Sequence, residues 1–176
     1  GAAKVADEQI LRAFNDMYGL PYVALRYFNI YGPRMDAYGV YTEVMIRWLQ
    51  RLENHQAPII FGDGMQTMDF IYVGDVAEAN VRAMKSDTSD DVFNGAAVID
   101  TIVRHLFLLL SDAAGHAAME PLFEPVRKVN PVTRRLAATE HARDGIGFVA
   151  ETTLADGLRE LAVWHRSLNR ELAAAR

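Results

Sequence analysis

Short apolar runs of strand length alternate along this chain with stretches whose apolar residues recur at helical spacing. That alternation confines it to a layered α/β fold. Residues 5–18 set Ala6, Ile10, Ala13, Phe14 and Met17 on one helical stripe, and Gly19 and Pro21 end it. Residues 22–27 read as a short buried strand. Residues 29–39, with Gly32, Pro33 and Gly39, read as a loop, and 40–53 as a helix apolar at Val44, Trp48 and Leu52. Residues 57–61 and 70–73 are predicted strands, with Gly62-Asp63-Gly64 as a hairpin turn between them. Helical spacing returns over 75–84 at Ala77, Val81 and Met84. Asp87, Asp90 and Asp91 form a solvated loop before the strand-like Val92-Phe93. Residues 98–114 are predicted as a helix apolar nearly all round and therefore buried. Three prolines give 119–131 an irregular, extended path, and 136–143 reads as a short helix. Thr153 with Asp156 resembles a capping box opening a last helix with Leu154, Leu158, Leu161, Leu168 and Leu172 on its core stripe. No internal repeat, low-complexity tract or linker interrupts the chain, so one α/β region is expected over 1–176.

A chain of 176 residues has the length of one domain and can bury roughly 70% of its unfolded surface. It contains no cysteine, which excludes disulfides, thiolate metal sites and a cysteine nucleophile. This suits a reducing compartment, and a cytoplasmic location is expected. The net charge of −5 argues against a nucleic-acid partner, which needs a basic stripe. The most apolar run, 98–110, is too short for a bilayer and carries Asp100, Arg104 and His105. The first residues lack the basic and apolar regions of a signal peptide, and no membrane association is expected. No two of the five histidines stand at metal-ligand spacing, and His165 falls on the stripe of the last helix, so no metal site is expected. Neither a Gly-x-Ser-x-Gly elbow nor a Gly-rich phosphate loop occurs.

Two segments are more specific. One runs Leu25-Arg-Tyr-Phe-Asn-Ile-Tyr-Gly-Pro-Arg34, the other Phe61-Gly-Asp-Gly-Met-Gln-Thr-Met-Asp-Phe-Ile-Tyr-Val-Gly-Asp-Val76. Together with Gly157-Leu158 and Trp164, they resemble the extended short-chain dehydrogenase/reductases, in particular the NAD-dependent nucleotide-sugar epimerases and dehydratases. The resemblance extends over nearly the whole chain and is weakest from Ala96 to Ala118.

The resemblance implies a catalytic Tyr-x-x-x-Lys motif at the start of the chain, where Gly1-Ala2-Ala3-Lys4 matches the last four residues. Lys4 then takes the place of the lysine that bonds the nicotinamide ribose and lowers the tyrosine pKa. The tyrosine and the Gly-rich Rossmann half, which holds the cofactor pyrophosphate, are not among these residues. By resemblance the chain is the carboxyl-terminal, substrate-binding half of such an enzyme, cut just after its catalytic tyrosine. It is expected to be inactive alone, with NAD the parent family's cofactor and none bound here. Phe28 matches the residue beside the nicotinamide, and Asn29 the one bonding a nucleotide-sugar diphosphate. Ile60 and Phe61 match a strand whose backbone holds the nucleobase, and Arg127 matches a later diphosphate-contacting arginine. For Phe28, Ile60 and Phe61 plain core packing explains the residue type equally well, whereas a buried Asn29 needs partners. Met68 stands where many members have arginine, and a thioether cannot bind phosphate bidentately, so any nucleotide-sugar affinity is expected to be weak. A homo-oligomer is expected, because the apolar stripe of residues 5–18 needs a cover. The alternative functions are a homo-oligomeric binding module without catalysis, or half of a split enzyme completed by a separate Rossmann chain.

Overall fold

The computed structural model describes residues 2–39, 43–126, 134 and 136–174. The order of elements is α1 (Ala2–Tyr18), β1 (Val23–Tyr27), β2 (Asn29–Tyr31), α2 (Val44–Glu53), β3 (Ile59–Phe61), β4 (Thr67–Met68), β5 (Phe70–Tyr72) and α3 (Val73–Lys85). It continues with β6 (Asp91–Gly95), β7 (Thr101–Ile102), α4 (Val103–Ala113), β8 (Leu122–Glu124), α5 (Glu140–Ile146) and α6 (Leu154–Ala174). The strands pair as β1 with β6, β2 with β5 and β3 with β8, all parallel, and β4 with β7, antiparallel. Parallel pairs need crossover connections, and the intervening helices supply them.

Two apolar clusters hold these layers together. The larger joins α2, α4 and α6 through Trp48, Leu49, Leu106, Leu110, Leu158 and Leu161. Trp48 meets Phe107 edge to face at 5.7 Å, and its indole N–H donates to the Ile59 carbonyl at 2.8 Å. The smaller gathers Ile71, Ala79, Phe93, Ala142, Ile146 and Phe148. Helix α6 enters the larger cluster closely, because a Cβ on Gly157 would lie 2.3 Å from the Tyr31 hydroxyl. The hydroxyl of Thr153 accepts the Asp156 N–H at 3.2 Å and caps that helix. His165, buried on α6, pairs through Nδ1 with Glu53 of α2 at 2.8 Å, and Asn169 donates to the same carboxylate.

Several boundaries differ from the sequence expectations. Asn29–Tyr31 is a strand, not part of a loop, because β5 offers it a parallel partner, with Asn29 opposite Phe70. Gly62-Asp63-Gly64 turns the chain but makes no hairpin, since β3 pairs with β8 and β4 with β7. Asp91 opens β6 and accepts from His141. The apolar run at 98–114 becomes a helix only from Val103, and Arg104, His105 and Leu108 face solvent, so it is buried on one side only. The extended segment after Met119 contains β8, and the next helix spans Glu140–Ile146, not 136–143. Leu172 is 42% exposed and lies beyond the core.

Helix α1 is docked the opposite way from an ordinary surface helix. None of its residues is buried. Its polar stripe faces the body: Glu8 pairs with Arg26, Arg12 with Asp90, and Asn15 donates to Ser89 and to the Leu20 carbonyl. The Tyr22 hydroxyl and then the Arg12 guanidinium hold the Asp90 carboxyl below its usual range, and Arg26 does the same for Glu8. The apolar stripe of Ile10, Phe14 and Met17 lies on the other side, in solvent.

Candidate functional site

In parallel α/β arrangements, ligands bind in the crevice beyond the carboxyl ends of the strands. Strands β1 and β6 run parallel in register from Val23↔Asp91 to Tyr27↔Gly95, so their carboxyl ends lie side by side. Phe28 and Asn29 leave one end, and Ala96, Ala97 and Val98 leave the other. The Phe28 N–H donates to the Gly95 carbonyl at 3.1 Å and links the two strand ends.

Asp69 ties both exits together. Its carbonyl accepts the Asn29 side-chain amide at 2.8 Å and the Asn29 N–H at 3.3 Å. Its carboxylate accepts the N–H groups of Ala97 and Val98 at 3.1 Å each and of Ala137 at 3.4 Å. The residue is fully buried. Burial pushes its carboxyl above the usual range, against the backbone N–H groups that favour the anion. A carbonyl can only accept, so Asn29 must turn Nδ2 toward Asp69. One N–H of the amide is thereby committed, and a second N–H and Oδ1 remain for other partners. Sequence reasoning did not single out Asp69, which lies inside the second motif just before the strand predicted over 70–73.

The other matched residues are distributed over the fold. Ile60 and Phe61 lie on β3, opposite Phe123 and Glu124 of β8. The Ile60 side chain is buried in the larger cluster, so any contact with a ligand would run through its backbone. The Phe61 carbonyl accepts from the Gln66 amide at 3.1 Å, and the Gly62 N–H donates to Glu124 at 2.8 Å. Gly64 completes this turn with φ +72°, and a Cβ there would stand 2.7 Å from Arg104, whose guanidinium lies over the Phe123 ring at 4.7 Å. Met68 is partly buried and packs against the larger cluster. Lys4 stands exposed on α1 with its ammonium 3.7 Å from Asp7. Arg127 lies outside the described residues.

The described tyrosines whose acidity is shifted are all pushed upward, away from what a proton-accepting tyrosine needs. Burial raises Tyr27 and Tyr31, burial and then Glu160 raise Tyr72 to about 12, and the hydrogen bond to Asp90 raises Tyr22. Lys4 therefore has no poised phenol among these four. The sequence holds no Gly-rich phosphate turn, so Lys4 and Phe28 by themselves do not make up a complete NAD site. Among the described residues no group of three or more His, Asp or Glu is placed to hold a metal, and no helix is long and apolar enough to cross a membrane. A surface hollow of about 640 Å³ between the end of α3 and α5 is lined by Arg82, Lys85, Ser86, Thr88 and Gly145. Arg82 there already serves Glu78 and the Gly147 carbonyl.

Comparison with known proteins places this architecture. Residues 1–96 match the NAD dependent epimerase/dehydratase family. A putative UDP-glucose 4-epimerase of Methanocaldococcus jannaschii is 32% identical over 97% of this chain and 54% of its own length. Among solved structures, the UDP-N-acetylglucosamine 4-epimerase of Methanobrevibacter ruminantium, in complex with UDP-N-acetylmuramic acid, superposes with a TM-score of 0.88. It is 34% identical, over 95% of this chain and 53% of that one. The UDP-glucose 4-epimerase of Thermotoga maritima with UDP-glucose also gives 0.88, at 35% identity over 96% and 53%. The chain belongs to the NAD-dependent epimerase/dehydratase family. It spans about half the length of the relatives it matches.

Proposed function

We propose that these 176 residues form the carboxyl-terminal, nucleotide-sugar-binding region of an epimerase or dehydratase. The observation that carries this reading is Asn29, held by Asp69 at the carboxyl ends of β1 and β6 with hydrogen-bonding capacity to spare. Two solved relatives, 34% and 35% identical, carry uridine-diphosphate sugars, which makes a UDP-sugar the ligand class of choice. In this reading Asn29 and Arg127 meet the diphosphate, the backbone at Ile60 and Phe61 meets the base, and Phe28 borders the nicotinamide. Lys4 is the lysine of the catalytic pair. Turnover then requires a tyrosine and a Gly-rich NAD loop that these residues do not supply.

A direct consequence concerns the cofactor. The 176 residues alone are expected to give no saturable change in NADH fluorescence, because they hold no Gly-rich turn leading into a helix on which the pyrophosphate could sit. Saturable binding at micromolar concentration contradicts this. If the chain is half of a split enzyme, binding appears only when a Rossmann half is added.

A second reading, a homo-oligomeric assembly module, is favoured by one observation. Helix α1 presents Ile10, Phe14 and Met17 to solvent while its polar side is docked. The two readings are compatible, since Asn29 and Phe61 in the crevice and the exposed Ile10, Phe14 and Met17 of α1 are different residues.

A further inference from the structure

Resting on the nucleotide-sugar reading above, we propose that Asp69 is a positioning residue that sets both walls of the crevice without touching the ligand. One wall is Asn29, whose amide and N–H both end on the Asp69 carbonyl. The other is Ala97-Val98, whose N–H groups both end on its carboxylate, with Ala137 as a third donor. One buried residue therefore holds the two chain segments leaving β1 and β6 at fixed separation. The cost of that hold is visible in the backbone. Val98 has φ +60°, a left-handed conformation that a β-branched residue seldom adopts unless its surroundings impose it. The N–H that binds Asp69 belongs to that same residue. A carboxylate suits this place because it is acceptor-only: three N–H groups converge on its two oxygens. An asparagine would turn an NH₂ against at least one of them.

The test is a double-mutant cycle read by nuclear magnetic resonance, with UDP as the probe, on the wild type, Asp69→Asn, Asn29→Ala and the double variant. At a temperature where every protein is folded, Asp69→Asn is expected to weaken UDP binding about fivefold or more, and to change it less than twofold in the Asn29→Ala background. A contribution to stability alone lowers the melting temperature and leaves UDP affinity within twofold in both backgrounds, and that result overturns the proposal. Equal losses in both backgrounds overturn it as well. Failure of the wild type to bind UDP defeats the nucleotide-sugar reading, and Asp69 is then judged without ligand. The Asn29 side-chain amide resonances must move in Asp69→Asn, and unmoved resonances overturn the positioning role. If Asp69→Asn does not fold, hydrogen exchange on the wild type decides. The backbone N–H groups of Asn29, Ala97 and Val98 are expected to open together with the same protection, and a spread beyond tenfold contradicts a common node.

Discussion

Replacing Trp48 with alanine is expected to remove most of the stability of this chain. Trp48 is 2% exposed and sits where α2, α4 and α6 converge. Truncating such a residue costs about 3–5 kcal/mol through lost burial and the cavity left behind. The indole also supplies the donor for the Ile59 carbonyl at 2.8 Å, and orphaning that acceptor adds about 1 kcal/mol. Against a total of about 5–15 kcal/mol, that loss is large. Urea unfolding followed by circular dichroism should show a midpoint lowered by at least about 1 M. Trp164, only half-buried beside the same cluster, provides the comparison, and Trp164→Ala is expected to cost less. A Trp48→Ala protein within 1 kcal/mol of wild type contradicts the place given to the three-helix core. It would also loosen the attachment of β3, since Ile59 is the strand's first residue.

Phe14→Glu on α1 is expected to convert an oligomer into a monomer, the second large effect. Glu8, Arg12 and Asn15 occupy the docked side of α1, and Ile10, Phe14 and Met17 fall on the opposite side, 47–69% exposed. The Phe14 ring lies 5.5 Å from that of Tyr18, 69% exposed, which widens the apolar surface. An apolar stripe of this kind at the surface marks a contact to be covered. A second copy offers the same stripe, and a two-fold pairing covers both at once. Burying roughly 1,600 Å² in total gives a stable pair. Light scattering coupled to size exclusion should therefore give a mass about twice 19.7 kDa for the wild type and a monomer for Phe14→Glu. His55→Glu, exposed at the end of α2, should leave the oligomer intact. A wild-type monomer across a hundredfold concentration range rules out the pairing.

The parts of the fold that were legible in the sequence are those with long-period signals. The stripes of α1, α2, α3 and α6 and the apolar strands β1, β3 and β5 follow from residue spacing alone, with ends shifted by a few residues. Strands β2, β4, β7 and β8 did not show, because each is two or three residues long and owes its existence to a distant partner. Strand β8 is exposed throughout and carries no apolar alternation to read. The start of α4 was misplaced for a related reason. Val98 and Ile99 look like helix, yet Asp69, almost 30 residues earlier, holds the segment in another conformation. At the crevice, Phe28 and Asn29 came from motif resemblance, and their juxtaposition with Ala97 needed the parallel register of β1 and β6. Helix α1 was legible as a helix, but its inverted docking was not, since that depends on Arg26 and Asp90 rather than on its own sequence.

The central claim, a nucleotide-sugar crevice at Asn29, is tested most directly by titrating the isotope-labelled chain with UDP-glucose and following its amide resonances. The expected result is a saturable shift at Phe28, Asn29, Phe61 and Ala97 with a millimolar dissociation constant, equivalent to about −4 kcal/mol. Weakness is expected because Met68 offers no guanidinium to the diphosphate. Asn29→Ala should weaken that binding about fivefold or more while leaving the fold's other resonances in place. Tight binding that survives Asn29→Ala, or shifts confined to residues away from the ends of β1 and β6, would contradict it.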